Sequence, residues 1–251
     1  MSYVDGLLCN LVDTYFALRP RSLVQNIVPK IVSHRGIHDN VSVFENTMQA
    51  FEMAMQCGAW GIELDIRWTK DLCPVVIHDV NCQRIFGADI MISHVTMAEL
   101  RKEVPLIPAL SEVVTLYGKK MHLMIELKYE YQYEHFLHSV QEYLAPLESC
   151  KEFHILSLHP RVFECIDKLP SASFLPVAEK NVVELSELAL AKGYGGITGH
   201  YFLLNEKVHQ KHRAADQSIG TGFISSRNCL QREVTRGVEW VFTNHVQQIK
   251  H

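Results

Sequence analysis

The chain has 251 residues, 47% of them hydrophobic, and a formal net charge of -4 at pH 7. That is enough for one large core or two small ones, and the slight negative charge, with Lys and Arg scattered, leaves no basic footprint for nucleic acid. No run reaches the ~18 apolar residues of a membrane span.

In chain order, Val4, Leu7, Leu8, Leu11, Val12, Tyr15 and Phe16 recur at helical spacing until Pro20. This predicts an amphipathic N-terminal helix within residues 1–29. Its polar face carries Asp rather than Lys, which favours packing on the following domain over a membrane contact. The first basic residue, Arg19, comes after Asp5 and Asp13, so the start lacks the positive segment of a secretory signal. Seven dispersed cysteines (Cys9, Cys57, Cys73, Cys82, Cys150, Cys165 and Cys229) contain no C-x-x-C pair and read as reduced thiols. A cytoplasmic protein is the expectation.

From Lys30 onward short apolar runs alternate with helical patterns. Strands are predicted at Ile31 to Ser33, Ile62 to Ile66, Leu123 to Leu127, Phe153 to Ser157, Ser173 to Val177, Gly195 to Thr198, Ile219 to Phe223 and Trp240 to Thr243. Helices are predicted at Thr47 to Cys57, Leu110 to Tyr117, Tyr131 to Leu144, Arg161 to Lys168, Val183 to Lys192, Glu206 to Ala214 and Cys229 to Arg236. Eight β/α units at this length indicate a single TIM barrel over residues 30–251. Residues 79–108 interrupt the rhythm as a loop-rich excursion, with one short helix at Thr96 to Lys102, placed to wall a substrate pocket. The cluster Gly193-Tyr194-Gly195-Gly196 reads as a helix C-cap leading into a strand.

The chemistry gathers at predicted strand ends, where barrel active sites lie. Ile62 to Arg67 and Pro74 to His78 read as two arms of a hairpin centred between Lys70 and Asp71. That centre sets Glu63 opposite His78, with Asp65 on the same face. Two carboxylates and an imidazole then converge, as a divalent cation and a proton carrier require. Upstream, Ser33-His34-Arg35-Gly36 ends a strand with a second histidine and a guanidinium suited to gripping phosphate. Glu126 and Lys128 share a face at the end of another buried strand, and a metal and a phosphate would each supply a partner. Asn46 or Thr47 can cap the next helix, while Glu45 can either belong to that cap region or clamp Arg35.

At these residues the chain resembles the glycerophosphodiester phosphodiesterase family. The likeness runs through Ser33 to Gly36, Glu45-Asn46-Thr47, Gly61 to Asp65, Thr69-Lys70-Asp71, Val75 to Asp79, Ile107 to Leu110, Ile125 to Lys128 and, more weakly, Gly237 to Thr243. The resemblance implies a TIM barrel that hydrolyses glycerophosphodiesters to glycerol 3-phosphate and an alcohol. It implies that His34 and His78 are the general acid and base, that Glu63, Asp65 and Glu126 bind Mg or Ca, and that Arg35 and Lys128 contact phosphate. It further implies attack by the glycerol 2-hydroxyl, with water then opening a cyclic phosphate. The chain departs from the family pattern at Phe44 (usually proline), Leu72 (usually glycine), Phe223 (commonly tryptophan) and Asn244 (usually aspartate). Two alternatives stand beside this reading: a lysophospholipase D acting on lipid-bearing diesters, and a catalytically silent ligand-binding barrel.

Overall fold

The structure is a computed structural model that describes residues 11–19, 28–129 and 136–250. Its strands are β1 (Lys30–His34), β2 (Gly61–Trp68), β3 (Pro74–Val76), β4 (His122–Leu127), β5 (Phe153–Ser157), β6 (Phe174–Ala178), β7 (Gly196–His200), β8 (Ser218–Gly222) and β9 (Trp240–Thr243). All except β3 run parallel, in the order β1-β9-β8-β7-β6-β5-β4-β2, and β1 pairs with β2 to close the ring. This is the TIM barrel expected from the sequence.

Alternation along the strands sorts side chains into two apolar layers. Ile62, Leu64 and Ile66 of β2 and Leu123, Ile125 and Leu127 of β4 point outward into the layer shared with the helices. Val32, Met124, Leu156, Leu175, Trp240 and Phe242 fill the barrel interior. The outer helices include Met48–Gln56, Leu110–Tyr117, Val182–Lys192, Glu206–Ala214 and Arg227–Thr235, close to their expected bounds, and Met97–Glu103 lies in the excursion. Gly193 caps Val182–Lys192 in the left-handed conformation.

Three of the helix expectations need correction or restriction. Arg161 to Lys168 is not an α-helix: a 3-10 segment, Pro160–Cys165, takes its place. It ends at Ile166 in extended backbone, a short piece just long enough to bury Val162 and Phe163. Of the helix expected at Tyr131 to Leu144, residues 130–135 lie outside the described residues, and Val140–Tyr143 is helical. For the N-terminal helix, residues 1–10 lie outside the described residues, and residues 11–17 are helical. That helix touches the barrel through Phe16 against Tyr201, at 5.8 Å between ring centroids, and through the Asn228 amide donating to the Ala17 carbonyl at 2.6 Å.

The hairpin between β2 and β3 exists, with a register one residue from the expected one. The expected centre pairs Ile66 with Val75, whereas Ile66 pairs with Val76 and Arg67 with Val75. The cause is a three-residue loop. The Thr69 amide donates to the Cys73 carbonyl at 3.1 Å and the Leu72 amide to the Thr69 carbonyl at 2.9 Å, with Leu72 at φ 63°. A turn followed by a left-handed residue is a common three-residue hairpin loop, and glycine usually fills that last position. His78 therefore does not face Glu63. The Ile77 amide makes the link to β2 by donating to the Asp65 carbonyl at 2.9 Å. Just beyond it, the His78 carbonyl accepts from Arg67 Nε at 2.7 Å.

Candidate metal centre and active site

Strand pairing places three carboxylates together at the C-terminal mouth of the barrel. Glu63 and Asp65 lie two apart on β2, and Asp65 is the register partner of Glu126 on β4. One oxygen from each of the three lies within 4.8 Å of the others. Glu63 and Asp65 are buried, and the Glu126 side chain is 12% exposed. Burial first, then the neighbouring carboxylates, raises the pKa of Glu63 well above the usual range, and burial and Asp65 raise that of Glu126. Asp65 moves the other way: burial opposes its charge, but Lys128 and Arg35 outweigh burial and hold it ionised. Buried Glu63 Oε1 has no hydrogen-bond partner. Crowded hard oxygen donors, two of them penalised for their charge and one orphaned, fit a divalent cation.

Two cations already border this cluster. Lys128 Nζ pairs with Asp65 Oδ1 at 2.8 Å and contacts Glu126. Arg35 Nε lies 3.0 Å from Asp65 Oδ2, and Arg35 Nη1 donates to Glu45 Oε1 at 3.0 Å. Arg35 has φ 59°, a left-handed conformation that is costly for a bulky residue. Its amide donates to the Glu63 carbonyl at 3.0 Å and its carbonyl accepts from the Asn46 amide at 2.9 Å. These bonds hold the turn that aims the guanidinium inward. The segment Glu45-Asn46-Thr47 divides its labour: Thr47 is the N-cap, Asn46 Nδ2 donates to Asp65 Oδ2 at 2.8 Å, and Glu45 clamps Arg35.

The two histidines have different partners. At the end of β1, the His34 Nδ1–H donates to Asn244 Oδ1 at 2.8 Å, and its Nε2 lies 3.7 Å from Glu63 Oε2. Burial and then Arg35 pull the His34 pKa down to about 4. The His78 Nδ1–H donates to Asp79 Oδ1 at 2.7 Å. Its pKa is also lowered, by burial first, with Asp65 acting against that shift. Both rings are thus oriented through a partner on Nδ1.

The structure accordingly brings together Glu63, Asp65, Glu126, Lys128, Arg35 and Glu45, with His34 at the edge of the cluster and His78 near enough for Asp65 to influence its charge. Sequence reasoning noted Asn244 only as a departure from the family pattern, not as the partner of His34, and missed Arg84. Asn244 sits directly after β9, the strand beside β1, and that strand-end position was a usable signal. Arg84 binds Glu45 from 39 residues away, a contact that no local pattern carries. A cavity of about 780 Å³ lies at the opposite mouth, lined by Trp60, His154 and Trp240 among others. Glu63, Asp65, Glu126, Arg35 and Lys128 do not line that cavity.

The sequence profile of the glycerophosphoryl diester phosphodiesterase family matches residues 34–248. A glycerophosphodiester phosphodiesterase of Bacillus altitudinis is 30% identical over 86% of this chain and 94% of its own length. A human lysophospholipase D is 38% identical over 36% of this chain and 30% of its own. Among solved structures, a glycerophosphodiester phosphodiesterase of Thermotoga maritima has a TM-score of 0.76 at 22% identity, covering 89% of this chain and 97% of that one. A phosphodiesterase of Oleispira antarctica, solved with the product sn-glycerol-3-phosphate, has a TM-score of 0.75 at 22% identity, covering 89% and 96%.

Proposed function

The chain belongs to the glycerophosphoryl diester phosphodiesterase family, and we propose that it hydrolyses glycerophosphodiesters to sn-glycerol 3-phosphate and an alcohol at the C-terminal mouth of its barrel. The observation that carries this reading is the meeting of three carboxylates, two cations and two partnered histidines in one place. Glu63, Asp65 and Glu126 would hold one Mg or Ca ion, which when bound supplies charge to stabilise the phosphoryl transition state.

Arg35 and Lys128 bind the phosphate oxygens, using donors not already given to Glu45, Asp65 and Glu126. His34 and His78 divide the proton transfers. A neutral amide holds His34, and its lowered pKa keeps it unprotonated at neutral pH, so it takes the proton from the attacking glycerol 2-hydroxyl. Asp79 orients His78 and works against the lowering of its pKa by burial, and His78 gives the proton to the departing alkoxide. The first step forms a bond from O2 to phosphorus and breaks the bond to the alcohol, leaving a cyclic phosphate. Water then opens the ring with the proton roles reversed. Residues 79–108, which carry Asp79 and Arg84, wall the pocket within one barrel domain.

A lysophospholipase D activity is the second reading. It is favoured by exposed Phe202 and Leu203 after β7 and by Phe223 after β8, whose ring centroid lies 6.2 Å from that of His34. No helix among the described residues is long and apolar enough to cross a membrane. The six described cysteines are free, which suits the reducing cytoplasm. Turnover of glycerophosphocholine, glycerophosphoethanolamine, glycerophosphoglycerol and lysophosphatidylcholine, with and without chelator, tests the proposal. Comparable rates on the three small diesters support it, lysophosphatidylcholine alone would favour the second reading, and no turnover of any would reject both.

A further inference from the structure

Beyond the groups that would meet substrate, Glu45 and Asp79 each hold one of them in place: Glu45 receives Arg35, and Asp79 receives His78. These two carboxylates come from separate loops, one after β1 and one after β3, and neither is tied to the other through its own strand. Arg84 joins them. Its Nε donates to Asp79 Oδ2 at 2.5 Å and its Nη2 to Asp79 Oδ1 at 3.0 Å. Its Nη2 also donates to Glu45 Oε1 at 2.7 Å, and its Nη1 to Glu45 Oε2 at 3.3 Å. Two edges of one guanidinium are occupied by two carboxylates, a geometry that the planar fork of arginine allows and the point charge of lysine does not.

Arg84 is itself held from behind. It lies in the short helix Gln83–Phe86, whose Phe86 packs on Phe44 at 5.5 Å between ring centroids. Phe44 directly precedes Glu45, so an aromatic contact and a double ion pair bind the same two segments. This gives a physical role to one departure from the family pattern, the phenylalanine in place of proline.

Resting on the phosphodiesterase reading, we infer that Arg84 is a positioning residue that locks the His78–Asp79 pair to the Arg35–Glu45 pair, fixing the proton carrier relative to the phosphate-gripping guanidinium. Arg84 does not touch the reacting atoms. Without it, Asp79 loses the group that fixes its carboxylate plane, and His78 gains freedom to rotate. Glu45 loses one of its two arginines but keeps Asn40, whose Nδ2 donates to Glu45 Oε2 at 2.8 Å.

The test compares Arg84→Met, Arg84→Lys, Asp79→Asn and the Arg84→Met/Asp79→Asn double variant in the full chain, with Phe86→Ala as an independent way to loosen the helix. Loss of outer-sphere partners in metal sites costs roughly tenfold to a hundredfold, and that range is expected in kcat for Arg84→Met, with a smaller change in KM. Arg84→Lys should recover little, and the double variant should be no slower than the slower single one, because both act through His78. Phe86→Ala should lower kcat in the same direction by a smaller factor. Histidine-ring NMR supplies a readout that does not require turnover: the His78 Nδ1–H signal should be present in the wild type and lost or averaged in Arg84→Met. Wild-type kcat in Arg84→Met, multiplicative losses in the double variant, or an unchanged His78 ring signal would overturn the inference. An inactive wild type whose His78 signal nonetheless depends on Arg84 would reject the phosphodiesterase reading and leave the lock standing.

Discussion

Strands β4 and β9 each cross the barrel from one mouth to the other, and their inward side chains change character on the way. Along β4 they are His122, Met124 and Glu126; along β9 they are Trp240 and Phe242, with Asn244 just beyond. At the N-terminal mouth the imidazoles on this path are partnered, while the buried Trp240 Nε1 has no hydrogen-bond acceptor. The His122 Nδ1–H donates to the Lys151 carbonyl at 3.0 Å, and the His154 Nδ1–H donates to His122 Nε2 at 2.8 Å. Trp60 stacks on His122 with 4.4 Å between centroids, and Trp240 packs on His154 at 5.0 Å. At the C-terminal mouth, Glu63 keeps an orphaned oxygen and two carboxylates carry raised pKa values. One end is packed with aromatic and imidazole rings around a cavity, whereas the other stores repulsion that a cation and an anionic substrate would relieve. On the proposed reading, the same strands supply stability below and chemistry above, as barrel architecture allows.

The largest expected effect comes from Glu63→Gln. Removing one of three ligands should cost several kcal/mol of transition-state stabilisation, on the order of a thousandfold in kcat. Because the raised pKa shows that the fold disfavours the Glu63 anion, the thermal midpoint should hold or rise. A clear fall in midpoint with activity retained would break the contrast between the two mouths. Next, His34→Ala and His78→Ala should each lose on the order of a hundredfold in kcat while remaining folded. His159 packs its ring on Tyr129 at 5.4 Å between centroids rather than on the carboxylates, so His159→Ala should be mild. Activity in either strand-end variant close to wild type on a substrate with a poor leaving group would remove that histidine from proton transfer.

At the other mouth the pattern should invert. Trp240→Ala should lower stability by about 3–5 kcal/mol through the cavity it leaves, with kcat per folded molecule little changed. Chemical denaturation combined with active-site-normalised kinetics separates the two effects. The smallest and most diagnostic effect is in pH. Burial depresses the His122 pKa to about 4, and burial together with His122 depresses that of His154 to about 3. The unfolded chain binds protons at these positions below about 6.5, while the folded chain refuses them until much lower pH. Their contribution is thus complete above about 6.5 and is lost progressively as pH falls towards 4. Denaturation curves across that range should have a shallower pH slope in His154→Leu. An identical slope would mean that this packing does not exclude protons.

Sequence legibility follows the same division. The eight barrel strands were readable because parallel strands buried on both faces are continuous apolar runs, and Glu63, Asp65 and Glu126 stood out as charges at the ends of such runs. Arg35 and Lys128 were readable as cations at the same ends, although their partners in the structure are carboxylates. The hairpin register was not readable, because it turns on Leu72 adopting a left-handed conformation that leucine rarely takes, and one residue of loop length reverses which face a side chain occupies. The segment after β5 carried apolar spacing compatible with a helix, and its length and the proline at its start made it a 3-10 turn instead. Arg84 and the His122–His154 pair depend on contacts between segments far apart in sequence, and local pattern has no access to these.

The central claim is that the carboxylate cluster is a metal site on which phosphodiester cleavage depends. It is tested most directly by stripping the enzyme with chelator and then titrating Mg or Ca while following bound metal and glycerophosphocholine turnover in the same samples. The account predicts negligible turnover in the stripped enzyme and recovery that saturates at one ion per chain, with Glu63→Gln neither binding the ion tightly nor recovering. Full turnover by metal-free enzyme, or recovery in Glu63→Gln equal to wild type, would contradict it.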